Sequence, residues 1–118
     1  MISIYKKFHF DAAHFLPLAD KKHKCHKLHG HTYHVTIRVS GEKLDKSGWL
    51  IDFSEIKKYF KPILKQLDHA CLNEIEGLEN PTCENLAGWI YLQLSKNLKG
   101  ISEIHVQETP SSGCIYNP

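Results

Sequence analysis

The 118-residue chain has no long apolar run, no excess of one charge and no cysteine framework, and each absence closes off a class of protein. Its apolar runs extend only a few residues, so no segment is expected to cross a bilayer as a helix. Fifteen Lys and Arg stand against 13 Asp and Glu, a net charge of +2, too even for a protein held to nucleic acid by its field. Four cysteines without a short spacing pattern fit reduced thiols better than a disulfide-stapled secreted scaffold. The start, Met1-Ile2-Ser3-Ile4-Tyr5-Lys6-Lys7, lacks the apolar stretch of a secretory signal, and a cytoplasmic protein is the expectation. No repeat, low-complexity tract or Gly/Ser/Pro linker divides the chain. With 42% hydrophobic and 24% charged residues it reads as one globular domain over residues 1–118. What it holds in excess is histidine, nine in all.

Two strands are expected first. Ile2, Ile4, Phe8, Phe10, Ala12 and His14 fall on one parity against Ser3, Tyr5, Lys7, His9 and Asp11, with Lys6 the exception. Phe15 to Lys27 is polar and reads as a loop. Tyr33, Val35, Ile37 and Val39 then alternate with Thr32, His34, Thr36, Arg38 and Ser40, leaving through a turn over Gly41 to Gly48. Asp52-Phe53-Ser54-Glu55 is a variant capping box opening a helix with Ile56, Tyr59, Phe60, Ile63, Leu64 and Leu67 on one stripe, and Pro62 should kink or loosen it. After a connector over Asp68 to Pro81, Thr82 caps a second helix carrying Leu86, Trp89, Ile90, Leu94 and Leu98 and closed by Gly100. Ile104 and Val106 mark a third strand and Gly113 to Tyr116 a fourth. The order ββααββ predicts an α+β fold, a four-stranded antiparallel sheet with both helices on one face. Its open edges invite other copies of the chain.

Parity also sorts the histidines. His29 and His31 continue the buried row of the second strand, and His14 ends that of the first. If the strands pair as a hairpin, three imidazoles converge, a usual donor set for catalytic zinc with a fourth position left open. The competing reading is three core histidines satisfied by hydrogen bonds. His9, His23, His26, His34 and His105 fall in the loop or on the opposite faces and are expected to be solvated. Cys25 lies among Lys24, His26 and Lys27, a setting that favours thiolate. It fits a base beside the metal, a fourth ligand closing a structural site, or a bystander. Cys71, Cys83 and Cys114 read as small apolar residues. Asp68-His69 suits proton transfer, although for the bare dipeptide a capping or surface role is the stronger reading. Glu108 shares the inward parity of Ile104 and Val106, so it either meets the N–H donors of a ligand or pairs internally. Lys24 and Lys27 are candidate phosphate partners, or ordinary solvated lysines.

Several segments together resemble the 6-pyruvoyltetrahydropterin synthase-like enzymes of the tunnelling fold. They are Phe10-Asp11-Ala12-Ala13-His14, Cys25-x3-His29-Gly30-His31, Gly48-Trp49-Leu50-Ile51-Asp52-Phe53, Leu67-Asp68-His69-Ala70-Cys71-Leu72-Asn73, Asn80-Pro81-Thr82-x-Glu84-Asn85 and Glu108-Thr109, and they run from end to end of the chain. The three residues between Cys25 and His29, and the Gly113-Cys114-Ile115-Tyr116 ending, are similar to the bacterial 6-carboxytetrahydropterin synthases. His26 and Cys83 stand beside motif positions and disturb none of them. The resemblance implies a single pterin synthase-like catalytic domain over residues 1–118, with one zinc ion per subunit on His14, His29 and His31. It implies Cys25 as proton acceptor, Asp68 and His69 as a relay, and Glu108 as anchor of the pterin's 2-amino and ring N–H edge. It also implies 7,8-dihydroneopterin triphosphate as substrate. The products would be 6-carboxy-5,6,7,8-tetrahydropterin, acetaldehyde and triphosphate, on the 7-deazaguanine route to queuosine. The alternatives are the 6-pyruvoyl reaction, which keeps the side chain whole, and a non-catalytic zinc module for assembly. The family joins its sheets into barrels as trimers or paired trimers, which allows Glu108 to serve a site whose zinc sits on a neighbour.

Overall fold

The computed structural model describes every residue from Met1 to Pro118. Strand β1 (Ile2–His14) and strand β2 (His29–Gly41) pair antiparallel in unbroken register from Ile2 opposite Gly41 to His14 opposite His29. That register superimposes the two apolar rows, placing Phe10 opposite Tyr33 and Phe8 opposite Val35. Lys6 interrupts the row at little cost, because its stem is half-buried and its ammonium lies 5.9 Å from the Phe8 ring centre. Strand β3 (Ile101–Thr109) adds to β2 with Val35 opposite Val106, and β4 (Ser112–Tyr116) adds to β3 with Val106 opposite Cys114. The sheet is β1-β2-β3-β4, antiparallel throughout, and both outer strands are edges.

Helix α1 (Phe53–Leu67) starts where Asp52 accepts a 2.9 Å hydrogen bond from the Ser54 N–H, while Glu55 makes no return bond. It buries Ile56, Phe60, Ile63 and Leu67 at helical spacing. The expected disturbance at Pro62 does not break the helix. Pro62 stands on the exposed face, so the carbonyl it leaves unbonded is turned toward water. Helix α2 (Cys83–Leu94) is capped by Thr82, whose hydroxyl accepts from the Asn85 N–H at 3.1 Å. It buries Leu86, Ala87, Trp89, Ile90 and Leu94. Both helices cover the face that carries Phe10, Tyr33, Val35, Ile37, Ile104 and Val106, and this is the core. The other face holds Lys7, Thr36, Arg38, Glu103 and His105 along an open groove.

Two expected boundaries move. Helix α2 ends at Leu94, with Ser95 as its cap, not at Gly100; Leu98 stays buried because a following turn bonds its N–H to the Leu94 carbonyl. The turn after β2 begins beyond Gly41, which remains in the strand opposite Ile2. A Cβ at Gly41 would stand 2.6 Å from Leu50 Cδ1, so the glycine admits that side chain beneath the sheet.

Candidate metal and catalytic site

Strand pairing alone assembles the three inward histidines. His14 ends β1 opposite His29, which begins β2, and His31 pairs with Ala12 two positions along. Each of the three offers a ring nitrogen within 4.8 Å of the other two. His14 is 1% exposed, and His31 is half-buried. Burial, reinforced by the neighbouring imidazoles, pushes the His14 and His31 rings below the ordinary histidine value. The Pro81 carbonyl at His14 and the Glu108 carboxylate at His31 oppose the shift without reversing it. Neutral rings are the form that binds a metal.

The hydrogen bonds test whether a cation fits. His29 Nδ1 lies 2.7 Å from the Lys27 carbonyl and His14 Nδ1 lies 2.9 Å from the Pro81 carbonyl. A carbonyl only accepts, so a proton on each Nδ1 turns both Nε2 lone pairs inward, 2.9 Å apart. Two facing lone pairs repel, and a shared cation satisfies both. His31 Nε2 is buried with no hydrogen-bond partner, because the nearest Glu108 oxygen is 3.8 Å away. The donor set and its second-layer carbonyls therefore suit zinc.

Glu108 thus stands beside its own chain's triad rather than at a distance, and it needs no neighbouring subunit to reach these ligands. Cys25 sits half-buried in a 3-10 turn over Lys24–His26, whose cap is the His23 ring. Its sulfur does not belong to the set of mutually close donor atoms, so a site closed by Cys25 as fourth ligand is not formed. Lys24 and Lys27 flank it, both exposed. His9, His23 and His34 are exposed as expected. His26 is not: it is half-buried with an unpartnered Nδ1. His105 joins Glu103 at 2.7 Å on the open sheet face, where His105 and Arg38 hold the Glu103 carboxyl below its ordinary value.

The Asp68-His69 pair occupies a corner against the free edge of β1. His69 Nδ1 lies 3.0 Å from Asp68 Oδ1. The same oxygen accepts the Asp11 N–H at 3.1 Å, and that bond above all holds the Asp68 carboxyl below the usual carboxylate range, with His69 adding to it. The His69 N–H donates to the Asp11 carbonyl at 2.6 Å, and Ala13 N–H donates to Ala70. Tied at both ends, His69 adopts φ +61°, the left-handed region that L-residues avoid. Thr32 donates its hydroxyl to Asp11. An open depression of about 470 Å³ lies beside this corner, lined by Asp11, Thr32, His69 and Ala70 and, of the three clustered histidines, by His31 alone, and the corner and the triad remain two separate groups of donor atoms.

The 6-pyruvoyl tetrahydropterin synthase family matches residues 3–118. The chain belongs to that family. A 6-carboxy-5,6,7,8-tetrahydropterin synthase of Synechocystis sp. is 39% identical, over 96% of this chain and 91% of its own. A dihydroneopterin monophosphate aldolase of Pyrococcus furiosus is 44% identical, over 77% of this chain and 73% of its own. The 6-pyruvoyl tetrahydropterin synthase structure of Caenorhabditis elegans superimposes with a TM-score of 0.90 at 26% identity, covering 99% of this chain and 95% of that one. The four-stranded sheet and two helices are therefore the fold of the synthase family.

Four residues that build the site lie outside the histidine pattern. Tyr33 shares the inward parity of His31, and its buried hydroxyl lies 3.1 Å from His14 Nδ1. Thr32 and Asp11 face each other only through the hairpin register. Pro81 acts through its carbonyl and leaves no side-chain signal.

Proposed function

We propose that the protein is a zinc-dependent lyase. It converts 7,8-dihydroneopterin triphosphate to 6-carboxy-5,6,7,8-tetrahydropterin, releasing acetaldehyde and triphosphate, on the 7-deazaguanine route to queuosine. The observation that supports this reading is a triad of converging imidazoles whose His31 Nε2 is buried without a hydrogen-bond partner and stands 3.8 Å from the Glu108 carboxylate, in a chain 39% identical to a 6-carboxytetrahydropterin synthase. His14, His29 and His31 hold the metal. When bound, zinc supplies a Lewis acid that makes the carbon beside the side-chain hydroxyls acidic.

Cys25 Sγ takes the proton from that carbon as thiolate. Asp68 and His69 return and remove protons, His69 at its imidazole and Asp68 by fixing that ring at Nδ1. Glu108 accepts the 2-amino and ring N–H groups of the pterin and so sets the depth to which the side chain enters. Lys24 and Lys27 meet the triphosphate. Carbon–carbon cleavage consumes one water, whose oxygen ends in the new carboxylate. On this reading the enzyme is cytoplasmic, and the open edges of β1 and β4 close a barrel in a trimer or a pair of trimers.

The test is incubation of zinc-loaded protein with dihydroneopterin triphosphate, analysing every product by mass. Acetaldehyde and the 6-carboxy pterin are expected. A pterin that keeps its three-carbon side chain after triphosphate loss would assign the 6-pyruvoyl reaction instead. The likeness to a dihydroneopterin monophosphate aldolase favours a second reading in which the monophosphate is the substrate. A parallel incubation with it decides that: faster turnover of the monophosphate selects the second reading. No turnover of either, with sulfur in the zinc shell by X-ray absorption, would leave a structural zinc module.

A further inference from the structure

Asn73 stands in a 3-10 turn over Leu72–Glu74, just beyond the Asp68-His69 corner. Before that turn the chain runs beside the free edge of β1 as a short neighbour. The His69 N–H donates to the Asp11 carbonyl, the Ala13 N–H to the Ala70 carbonyl, and Cys71 bridges to Ala13 in parallel. The main chain then turns away, and the Asn73 side chain continues the pairing. Its Oδ1 accepts the Phe15 N–H at 3.0 Å, and its Nδ2 donates to the Phe15 carbonyl at 2.8 Å. Only one orientation of the amide serves both groups, since the N–H needs an acceptor and the carbonyl a donor.

An amide NH₂ carries two hydrogens, and the second serves the Glu79 carbonyl in a longer bond of 3.4 Å. Both partners lead to His14. Phe15 follows it directly in the chain. Two residues beyond Glu79 stands Pro81, whose carbonyl meets His14 Nδ1 at 2.9 Å. Asn85 holds the piece between them, its Nδ2 donating to the Asn80 carbonyl at 2.8 Å. A single half-buried side chain thus ties the main chain after His14 to the segment that presents the carbonyl behind its ring. A donor set binds an ion tightly only when such supports hold each ligand in place before the ion arrives.

We propose that Asn73 is a positioning residue of the metal site, which clamps Phe15 to the Glu79–Pro81 segment and so fixes the His14 ring relative to His29 and His31. The inference rests on the metal reading above and adds to it a residue that touches none of the three ligands. The Nδ2 bridge between the two carbonyls is the part that matters, because it alone joins the two segments.

The experiment is zinc affinity by chelator competition on the full chain, below the metal-free melting temperature of each protein, for wild type, Asn73→Ala, Asn73→Asp and Asp52→Ala. Asn73→Asp keeps the acceptor for the Phe15 N–H and turns a carboxylate oxygen toward two carbonyls. Asp52→Ala removes the cap of α1, a bond to Ser54 outside the site, and so controls for lost stability alone. Both Asn73 variants should bind zinc about 10- to 100-fold more weakly, Asn73→Asp at least as weakly as Asn73→Ala. Asp52→Ala should melt lower and bind zinc as the wild type does. Wild-type affinity in either Asn73 variant, or an equal loss in Asp52→Ala, overturns the proposal. If the wild type itself binds no zinc, the metal reading falls; if neither Asn73 variant folds, the comparison is lost. In both cases amide hydrogen exchange in the metal-free wild type decides the clamp. Asn73 Oδ1 is the only partner of the Phe15 N–H, so slowed exchange is expected there, and exchange at the rate of a free chain overturns it.

Discussion

His14 and His69 are both tied to the last residues of β1, and the fold treats them in opposite ways. His14 is 1% exposed, on a regular strand, with carbonyl, hydroxyl and imidazole partners on both nitrogens. The His69 side chain is 79% exposed, on an irregular corner, at a backbone angle of φ +61°. Desolvation keeps the first neutral and rigid, which suits a ligand whose lone pair must stay available. The second stands in solvent with its Nδ1 3.0 Å from the Asp68 carboxylate. One residue type thus stands in two different environments at the same strand end, and burial separates them.

The largest expected effect breaks the buried side. His29→Ala or His31→Ala should lose zinc and turnover together, because two nitrogens hold the ion too weakly. Zinc content and turnover on one preparation check this; full occupancy at sub-micromolar free zinc would undo the three-histidine assignment. Cys25→Ala removes neither a ligand nor Glu108. It should keep zinc and pterin binding while single-turnover proton abstraction falls by about 10²–10⁴, the usual worth of a positioned base. Loss of zinc from that variant would return Cys25 to the ligand shell. Glu108→Gln replaces an acceptor with a donor facing the pterin's own N–H groups. Pterin affinity, measured by calorimetry on zinc-loaded protein, should fall about tenfold, and an unchanged value would make Glu108 structural.

Legibility in the sequence follows the same division. Alternation from Ile2 and from Tyr33 sufficed for the strands, and because side-chain parity survives folding it also brought His14, His29 and His31 together. The corner was not legible, because its shape depends on the Asp11 carbonyl and N–H, main-chain atoms 57 and 58 residues away that any residue type supplies. Pro81 reaches His14 across 67 residues in the same way. The end of α2 was misplaced because Leu94 and Leu98 keep helical spacing through a turn that is no longer helix.

The two regions should also separate by pH in the metal-free protein. The folded values of His14 and His31 lie below the ordinary 6.5, so the unfolded chain takes up protons first. Their stability is complete above about pH 6.5 and is lost as pH falls toward the folded values. Asp68 is depressed below 3.8, so its contribution survives that fall and disappears only under pH 3.8. It should be small, because the carboxylate is solvated. Glu103, held low by His105 and Arg38, adds to the acid loss, so melting temperatures from about pH 8 to about pH 3 should show both losses in the wild type and a smaller acid loss in Asp68→Asn. An Asp68→Asn curve whose acid step is undiminished would place the whole of that step elsewhere, at Glu103 first.

The smallest effect is the most specific to the corner. An L-residue in the left-handed region is strained by about 1–2 kcal/mol, and glycine is not. Glycine gives back about 0.5–1 kcal/mol through its freer unfolded chain. His69→Gly should therefore raise stability by about 0.5–1 kcal/mol, since the solvated ring contributes little packing. His69→Ala should not, because it removes the same ring and keeps the strain. Both variants should lose turnover while holding zinc, since His69 is not among the three ligands. Urea denaturation of the two beside the wild type measures the difference. Greater stability in His69→Gly than in His69→Ala, with both inactive, would show that the strained corner is maintained for proton transfer at the expense of stability. Equal stability of the two variants would mean that the backbone at residue 69 relaxes once the imidazole is gone, so that the ring itself, through Asp68, holds the strain.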